Sequence, residues 1–380
     1  MNYCLYCMRP VNGSYCPHCK KDISWEASFS QLPATTVLRS AETNRQYLTG
    51  AVLGQGGFGI TYIALDLISD RRVAVKECFP TQAVVRHVNR LTVEPKKGAE
   101  VTYGKVLDRF VQEAQLLKKQ AGNPSVVKVT DSFRANNTAY IVMEFLDGLT
   151  LQQKMRRDGK FSAAELLPRL KVLMQNLEIV HAGGIIHRDI TPDNIMWMPD
   201  GRLVLIDFGS ARAMGVNREM SVLLKHEFAP VEQYQKKGQG PWTDIYALCA
   251  TVYYCLTGII PPQAIERLEQ ETIESPSKLG ADLTKEQEEA LLWGLAVQPG
   301  QRPQNMGSLT AKLFSEETES AINKQAKMPL TMNSKGPSLP AGQEESGNNL
   351  TDAQKNKAFA CSVGILALCL IILLILKFLI

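Results

Sequence analysis

Between Ile185 and Gly209 the chain carries two short apolar runs, IIHRDITPDNIMW and LVLIDFG. Each has acids or amides at its end. Apolar runs with such ends suggest a hairpin that brings Asp189, Asn194 and Asp207 to one place. In the loop HRDITPDN (187–194) such a set can hold a base near a hydroxyl and a metal near a phosphate.

The preceding stretch supplies a cationic partner. Residues 51–65 read AVLGQGGFGITYIAL, with glycines at 54, 56, 57 and 59 between apolar runs. This predicts a hairpin whose tip bears few side chains, so backbone N–H groups can approach phosphates. A strand-like run, ITYIAL, follows the glycines where a dinucleotide fold requires a helix. RVAVK then ends a short strand at Lys76, for which a solvated edge is the bland alternative. Leu107, Phe110, Val111, Ala114 and Leu117 form one face of a helix over 104–120. Glu113 lies beside that face, within reach of Lys76, although a surface position is the default for one glutamate. TAYIVM (138–143) reads as a strand and EFLDG as a connecting hinge. Ser162 and Glu165 form a capping box pattern ahead of a helix carrying Leu166, Leu170, Leu173, Leu177 and Val180. Pro168 should kink that helix and Gly183-Gly184 should end it.

The order GQGGFG, VAVK, a helical glutamate, HRD…N, DFG and APVE resembles the eukaryotic-like (Hanks-type) serine/threonine protein kinases of bacteria. KECFP, HRDITPDN and LLKHEFAPVEQY are similar to one bacterial branch in particular. The resemblance implies an α+β, two-lobed protein kinase fold over residues 45–315, with a β-rich N-lobe and a helical C-lobe. It implies ATP and Mg²⁺ as cofactors and protein Ser/Thr hydroxyls as substrates. Gly54, Gly56 and Gly59 would cover the ATP phosphates. Lys76, paired with Glu113, would hold the α- and β-phosphates. Ala74 and Met196 would sandwich adenine, with Met143 as gatekeeper. Asp189 would be the catalytic base, and Asn194 and Asp207 would bind Mg²⁺. His187 and Phe208 would pack, Glu232 and Arg302 would pair in the C-lobe, and Asp244 would cap the catalytic loop.

Two departures from the common pattern stand out, Thr191 and Thr61; Thr61 replaces the usual valine of the glycine loop, and its methyl can still face adenine. Thr191 stands where a lysine usually neutralises the γ-phosphate; the similar branch often carries Ser or Thr there, so an active enzyme is expected. The alternative is a pseudokinase scaffold that binds nucleotide without transfer. The activation segment, Asp207 to Glu232, has hydroxyls only at Ser210 and Ser221. A phosphate at Ser221 would meet Arg188. Lys225 occupies a place where many such kinases have threonine. Autophosphorylation dependent on Asp189 is expected, and a dimer would serve it.

Four of the nine cysteines crowd into residues 4–19. CLYC and CPHC place Cys4, Cys7, Cys16 and Cys19 as two pairs, which suits tetrahedral Zn²⁺. Asn12-Gly13-Ser14 is a turn that folds one pair onto the other. A zinc ribbon over residues 1–24 is too short to bury a core, so metal would provide most of its folding energy. The thiol-oxidoreductase reading of CPHC lacks its strand–helix context. With Arg9, Lys20 and Lys21 as the cations there and a net charge of +4 overall, nucleic acid is not an expected partner.

Residues 316–357 are polar and read as a disordered linker. Ala358–Leu376 has no charge, and a helix of that length spans ~28 Å, about the hydrocarbon thickness of a bilayer. Residues 358–380 are therefore expected to be a single transmembrane tail anchor in the lipid bilayer of the cell membrane. Lys355 and Lys357 favour a cytoplasmic kinase domain. No apolar run follows the first methionine, so no cleaved signal peptide is expected.

Overall fold

A computed structural model describes residues 2–208, 212–213, 226–235 and 238–315. The expected linker (316–357), the expected membrane span (358–380), Ser210, Ser221 and Lys225 lie outside the described residues. Among those described, no helix is long and apolar enough to cross a membrane.

At the N-terminus β1 (Asn2–Tyr3) and β2 (Pro10–Val11) pair antiparallel around the first cysteine turn. The small lobe follows: β3 (Val37–Arg39), β4 (Gln46–Gln55), β5 (Gly59–Asp66), β6 (Arg71–Cys78), a side hairpin of β7 (Val84–Arg86) and β8 (Val93–Pro95), α1 (Glu100–Lys118), β9 (Val129–Ala135) and β10 (Thr138–Glu144). Its antiparallel sheet runs β3-β4-β5-β6-β10-β9. Val-, Ile- and Tyr-rich segments such as GITYIALD and TAYIVME suit a pleated surface packed on both faces. Residues 37–39 thus add a strand ahead of position 45, where the sequence pattern begins. Helix α1 also starts earlier than the pattern at 104, because Tyr103 extends its buried face.

The large lobe is mostly helical. It comprises β11 (Leu149–Thr150), α2 (Leu151–Asp158), α3 (Ala163–Ala182), β12 (Ile185–Ile186), β13 (Ile195–Trp197), β14 (Leu203–Leu205), β15 (Arg212–Ala213), α4 (Val231–Gln235), α5 (Pro241–Thr257), α6 (Ala264–Arg267), α7 (Lys285–Gly294) and α8 (Met306–Leu313). The predicted leucine face of α3 is buried along its length, and α3 runs unbroken through Pro168. Ser162 caps it by accepting the Glu165 N–H at 3.2 Å. The reciprocal half of the expected box is absent there, since the Glu165 carboxylate sits 3.4 Å from Lys154 instead. Complete boxes occur at Thr150 with Gln153 and at Thr284 with Gln287. Helix α5 is buried on nearly every face and forms the axis of the lobe.

One polar network anchors the small lobe. Glu77 faces away from the cleft and takes two hydrogen bonds from Arg86 on β7, at 2.8 and 2.6 Å. The hydroxyls of Tyr62 and Tyr140 each donate to the same carboxylate at 3.1 Å. Arg86 also donates to the Ser30 carbonyl, and Arg90 to those of Ala27 and Ser28. The segment leading from the cysteine turns is thereby stitched onto the back of the sheet.

Candidate active site

Strand alternation turns Lys76 to the face of β6 opposite Glu77, toward α1. There its Nζ lies 3.2 Å from Glu113 Oε1 and 2.6 Å from Asp207 Oδ1. Burial works against the ammonium charge, but the two carboxylates outweigh it and hold Lys76 above its ordinary pKa. Burial pushes the Glu113 carboxyl up, with Lys76 opposing that shift. Asp207 has φ 59°, so its backbone takes the left-handed region to aim its carboxylate across the lobes.

The HRDITPDN loop connects β12 to β13 and is held from below. Asp244, in the first turn of α5, accepts the N–H groups of His187 and Arg188 at 2.8 and 2.7 Å. His181 contacts the same carboxylate at 2.8 Å. Burial raises the Asp244 pKa, yet the hydrogen bond and charge of His181 overcome it and hold the carboxyl below its usual range. Arg188 has φ 70°, a strained turn that this capping supports. The buried imidazole of His187 is held below its ordinary pKa by desolvation; it bonds the Ile206 carbonyl at 3.1 Å and packs on Phe208 at 4.3 Å. Asn194 turns its amide nitrogen to Asp189, 2.8 Å from both the backbone oxygen and Oδ2. Thr191 is buried, and its carbonyl accepts the Asn194 N–H.

The hairpin reading of the two apolar runs is met by β13 and β14, with Ile195 opposite Leu205. Asp189 and Asn194 are thus joined directly, while Lys76 joins Asp207 to Glu113. The described glycines differ in purpose. A Cβ at Gly54 or Gly56 would meet nothing within 4 Å, whereas one at Gly59 would sit 2.5 Å from the Glu77 carbonyl. Two glycines leave open space for an approaching ligand, and the third lets the hairpin close on β6. Ala74 pairs in register with Met143 across β6 and β10, and Met196 lies on β13; all three are 9% exposed. Glu232 and Arg302 form a buried pair at 2.8 and 3.1 Å, completed by Thr243 and by carbonyls of Trp242, Ala296 and Val297.

The cysteine turns form a second site. The Sγ atoms of Cys4, Cys7, Cys16 and Cys19 lie within 4.8 Å of one another. Cys4–Cys19 and Cys7–Cys16 are 3.6 and 3.7 Å apart. Four sulfurs around Zn²⁺ at ~2.3 Å would be separated by ~3.8 Å, so the donor set fits the metal. The backbone N–H of Cys19 holds the Cys16 thiol down to about 6, and burial pushes Cys7 up to about 12. Motif reading missed Arg86 and Gly50, and it quoted Glu77 within KECFP without giving it a role; no spacing marks Arg86, and Gly50 lies just before the glycine turn.

Comparison with known proteins agrees with this geometry. The protein kinase domain family matches residues 47–320. Serine/threonine-protein kinase F of Synechocystis sp. is 34% identical over 220 residues, covering 56% of this chain and 44% of that protein. Serine/threonine-protein kinase PknB of Mycolicibacterium smegmatis is 30% identical over 285 residues, covering 71% of this chain and 42% of that protein. The solved structure titled PpkA-294 apo form superposes with a TM-score of 0.66 at 30% identity, over 75% of this chain and 100% of that one. The chain spans less than half the length of these two curated relatives. A two-lobed body with a lysine, a helical glutamate and the HRD and DFG acids at its cleft, matched by that family over most of its length, belongs to the protein kinase domain family.

Proposed function

We propose that the chain is an ATP- and Mg²⁺-dependent protein kinase that transfers the γ-phosphate to Ser/Thr hydroxyls of proteins. The observation that carries this reading is the Lys76 ammonium held between Glu113 and Asp207. Lys76 would release part of that contact to the α- and β-phosphates. The backbone around Gly54, Gly56 and Gly59 would cover the phosphates, and Ala74, Met143 and Met196 would line the adenine site. Asp189, oriented by Asn194, would take the proton of the attacking hydroxyl. The hydroxyl oxygen then bonds to the γ-phosphorus as the bond to the β–γ bridging oxygen breaks, and ADP leaves with that electron pair. Mg²⁺ would be held by the oxygens of Asn194 and Asp207, hard donors that suit it, and when bound it neutralises charge on the β- and γ-phosphates.

The missing loop lysine is the feature that favours a pseudokinase. Thr191 is buried and holds the loop through Asn194, so the fold of the loop is preserved without it. Lys76 and the oxygen donors remain to carry the charge. Zn²⁺ in the cluster of Cys4, Cys7, Cys16 and Cys19, and a membrane anchor at 358–380 that keeps the kinase domain at the cytoplasmic face, complete the proposal.

The test is transfer of labelled γ-phosphate by the full chain in detergent, with protein substrates and by autophosphorylation. The parent should incorporate label, and Asp189→Asn should lose ~10²–10⁴-fold. Equal incorporation by both removes the base assignment. ATP binding without any transfer by the parent favours the scaffold.

A further inference from the structure

We propose that the four-cysteine knuckle positions the nucleotide site, so that its metal occupancy sets nucleotide affinity. This rests on the two readings above, of the cysteine cluster as a metal site and of the cleft as an ATP site.

The docking contacts come from the first Cys-x₂-Cys turn itself. Pairing of β4 with β5 shifts register between Thr49 and Val52, and again between Val52 and Gly54. Gly50 and Ala51 therefore fall out of the ladder. The Ala51 N–H instead donates to the carbonyl of Leu5 at 2.7 Å, and Leu5 lies between Cys4 and Cys7. Met8, the residue after Cys7, is 2% exposed and packs with Ile63 and Leu65 of β5, beside Leu48 and Phe145. Met8 has φ 51° and its N–H donates to the Cys4 carbonyl, so its placement depends on the closed cysteine turn. Gly50 is what admits the turn: a Cβ there would meet Met8 Cε at 2.1 Å and the Leu5 carbonyl oxygen at 2.3 Å.

The same turn reaches the segment between the lobes. Arg9 lies 3.7 Å from Asp147, which also bonds Arg72 at 2.9 Å. The Arg72 guanidinium covers Phe145 at 4.8 Å. The knuckle thus grips the strand entering the glycine turn at Gly54 and the stretch that follows Glu144, the end of the strand that carries Met143 of the candidate adenine site. Its own interior is Cys4, Val11 and Cys16 with a few flanking groups, too little to hold the turn closed without ligation. When the turn opens, the Ala51 amide loses its acceptor and β5 loses the Met8 side chain. Leu5, Met8 and Gly50 are positioning residues: they act on nucleotide binding, while Lys76 and Asp189 stay in place for the transfer.

The experiment uses the full chain in detergent and a fluorescent ATP analogue. Four readouts are taken: zinc content, analogue affinity, hydrogen exchange at the Ala51 amide, and KM for ATP against kcat. Removing zinc with a thiol-specific mercurial, followed by thiol rescue and chelation, should weaken the analogue about tenfold and expose the Ala51 amide, and added Zn²⁺ should restore both. Gly50→Ala should keep its zinc yet raise KM by about the same factor, with kcat within about twofold of the parent. Met8→Ala, which removes no backbone contact, should give a smaller rise of the same kind. Unchanged affinity and unchanged Ala51 protection, in a parent that binds both zinc and nucleotide, overturn this inference alone. A parent without zinc overturns it together with the metal reading. A parent that binds no nucleotide overturns it together with the kinase reading.

Discussion

Lys76 and Glu77 are consecutive on one strand, both buried in ion pairs, and they face opposite ways. The Glu77–Arg86 pair is sealed, with both side chains at 0% exposure and the carboxylate further satisfied by two tyrosines. Lys76 has a partner, Asp207, whose side chain is 49% exposed and belongs to the other lobe. A two-residue pleat period therefore separates a charge that can exchange partners from one that cannot. The difference lies in exposure: one partner of Lys76 is open to solvent on the other lobe, and no part of the Glu77–Arg86 pair is.

The comparison predicts opposite phenotypes for neighbouring substitutions. Lys76→Met should lower phosphoryl transfer ~10²–10³-fold with a smaller fall in melting temperature than Arg86→Met, because Asp207 is half-exposed and the Glu113 carboxyl, already pushed up by burial, can take a proton. Arg86→Met should do the reverse. It leaves the Glu77 carboxylate buried and unpaired, at a cost of about 3–5 kcal/mol and ~10 °C in melting temperature. Folded Arg86→Met assayed well below its melting point should keep kcat within about threefold. An Arg86→Met protein that melts like the parent would break the comparison. A cycle sharpens it: Glu77→Leu with Arg86→Met should be more stable than Arg86→Met alone by ~2 kcal/mol, because no lone charge remains.

Asp244 is a scaffold carboxylate that holds the reactive loop, and its signature lies in pH. Its folded pKa is depressed, so its contribution is present above the unfolded value of about 4 and is lost as pH falls through the folded value. Asp244→Asn should flatten the acid limb of a melting-temperature profile below about pH 4. The parent losing no more stability there than Asp244→Asn would contradict the assignment. The smallest effect is expected where neither partner is buried. Arg134 and Asp108 lie 3.0 Å apart with side chains 54% and 69% exposed, so Arg134→Ala should move the melting temperature by about 2 °C or less.

Much of the cleft was readable from the chain because its chemistry demands particular residue types in a particular order. The acids of the HRD and DFG stretches stand at the ends of apolar runs, and Lys76 interrupts an apolar strand. Two cysteine pairs with two-residue gaps mark the four-sulfur cluster in the same way. Residues 84–95 carry no such mark. Arg86 is one cation among 42, and nothing in its neighbourhood names Glu77 as its partner until the hairpin folds back. Gly50 reads as an ordinary small residue before a glycine-rich turn, and its need appears only when Met8 and Leu5 arrive from more than 40 positions away. The half-formed cap at Ser162 has the same cause: Lys154, on another helix, outcompetes the local bond for Glu165.

The sheet order has a consequence for synthesis on the ribosome. Every strand of the six-stranded sheet has been synthesised once Glu144 is made, so the sheet has all its strands well before the large lobe is complete. The large lobe waits for Arg302, which ties Glu232 to Trp242, Ala296 and Val297. At ~5–20 residues per second that interval lasts about 8 to 30 s. Throughout it, a sheet with all its strands made waits on an unfinished helical half, and the nascent chain has a window in which a chaperone could shield the face that the two halves will later share.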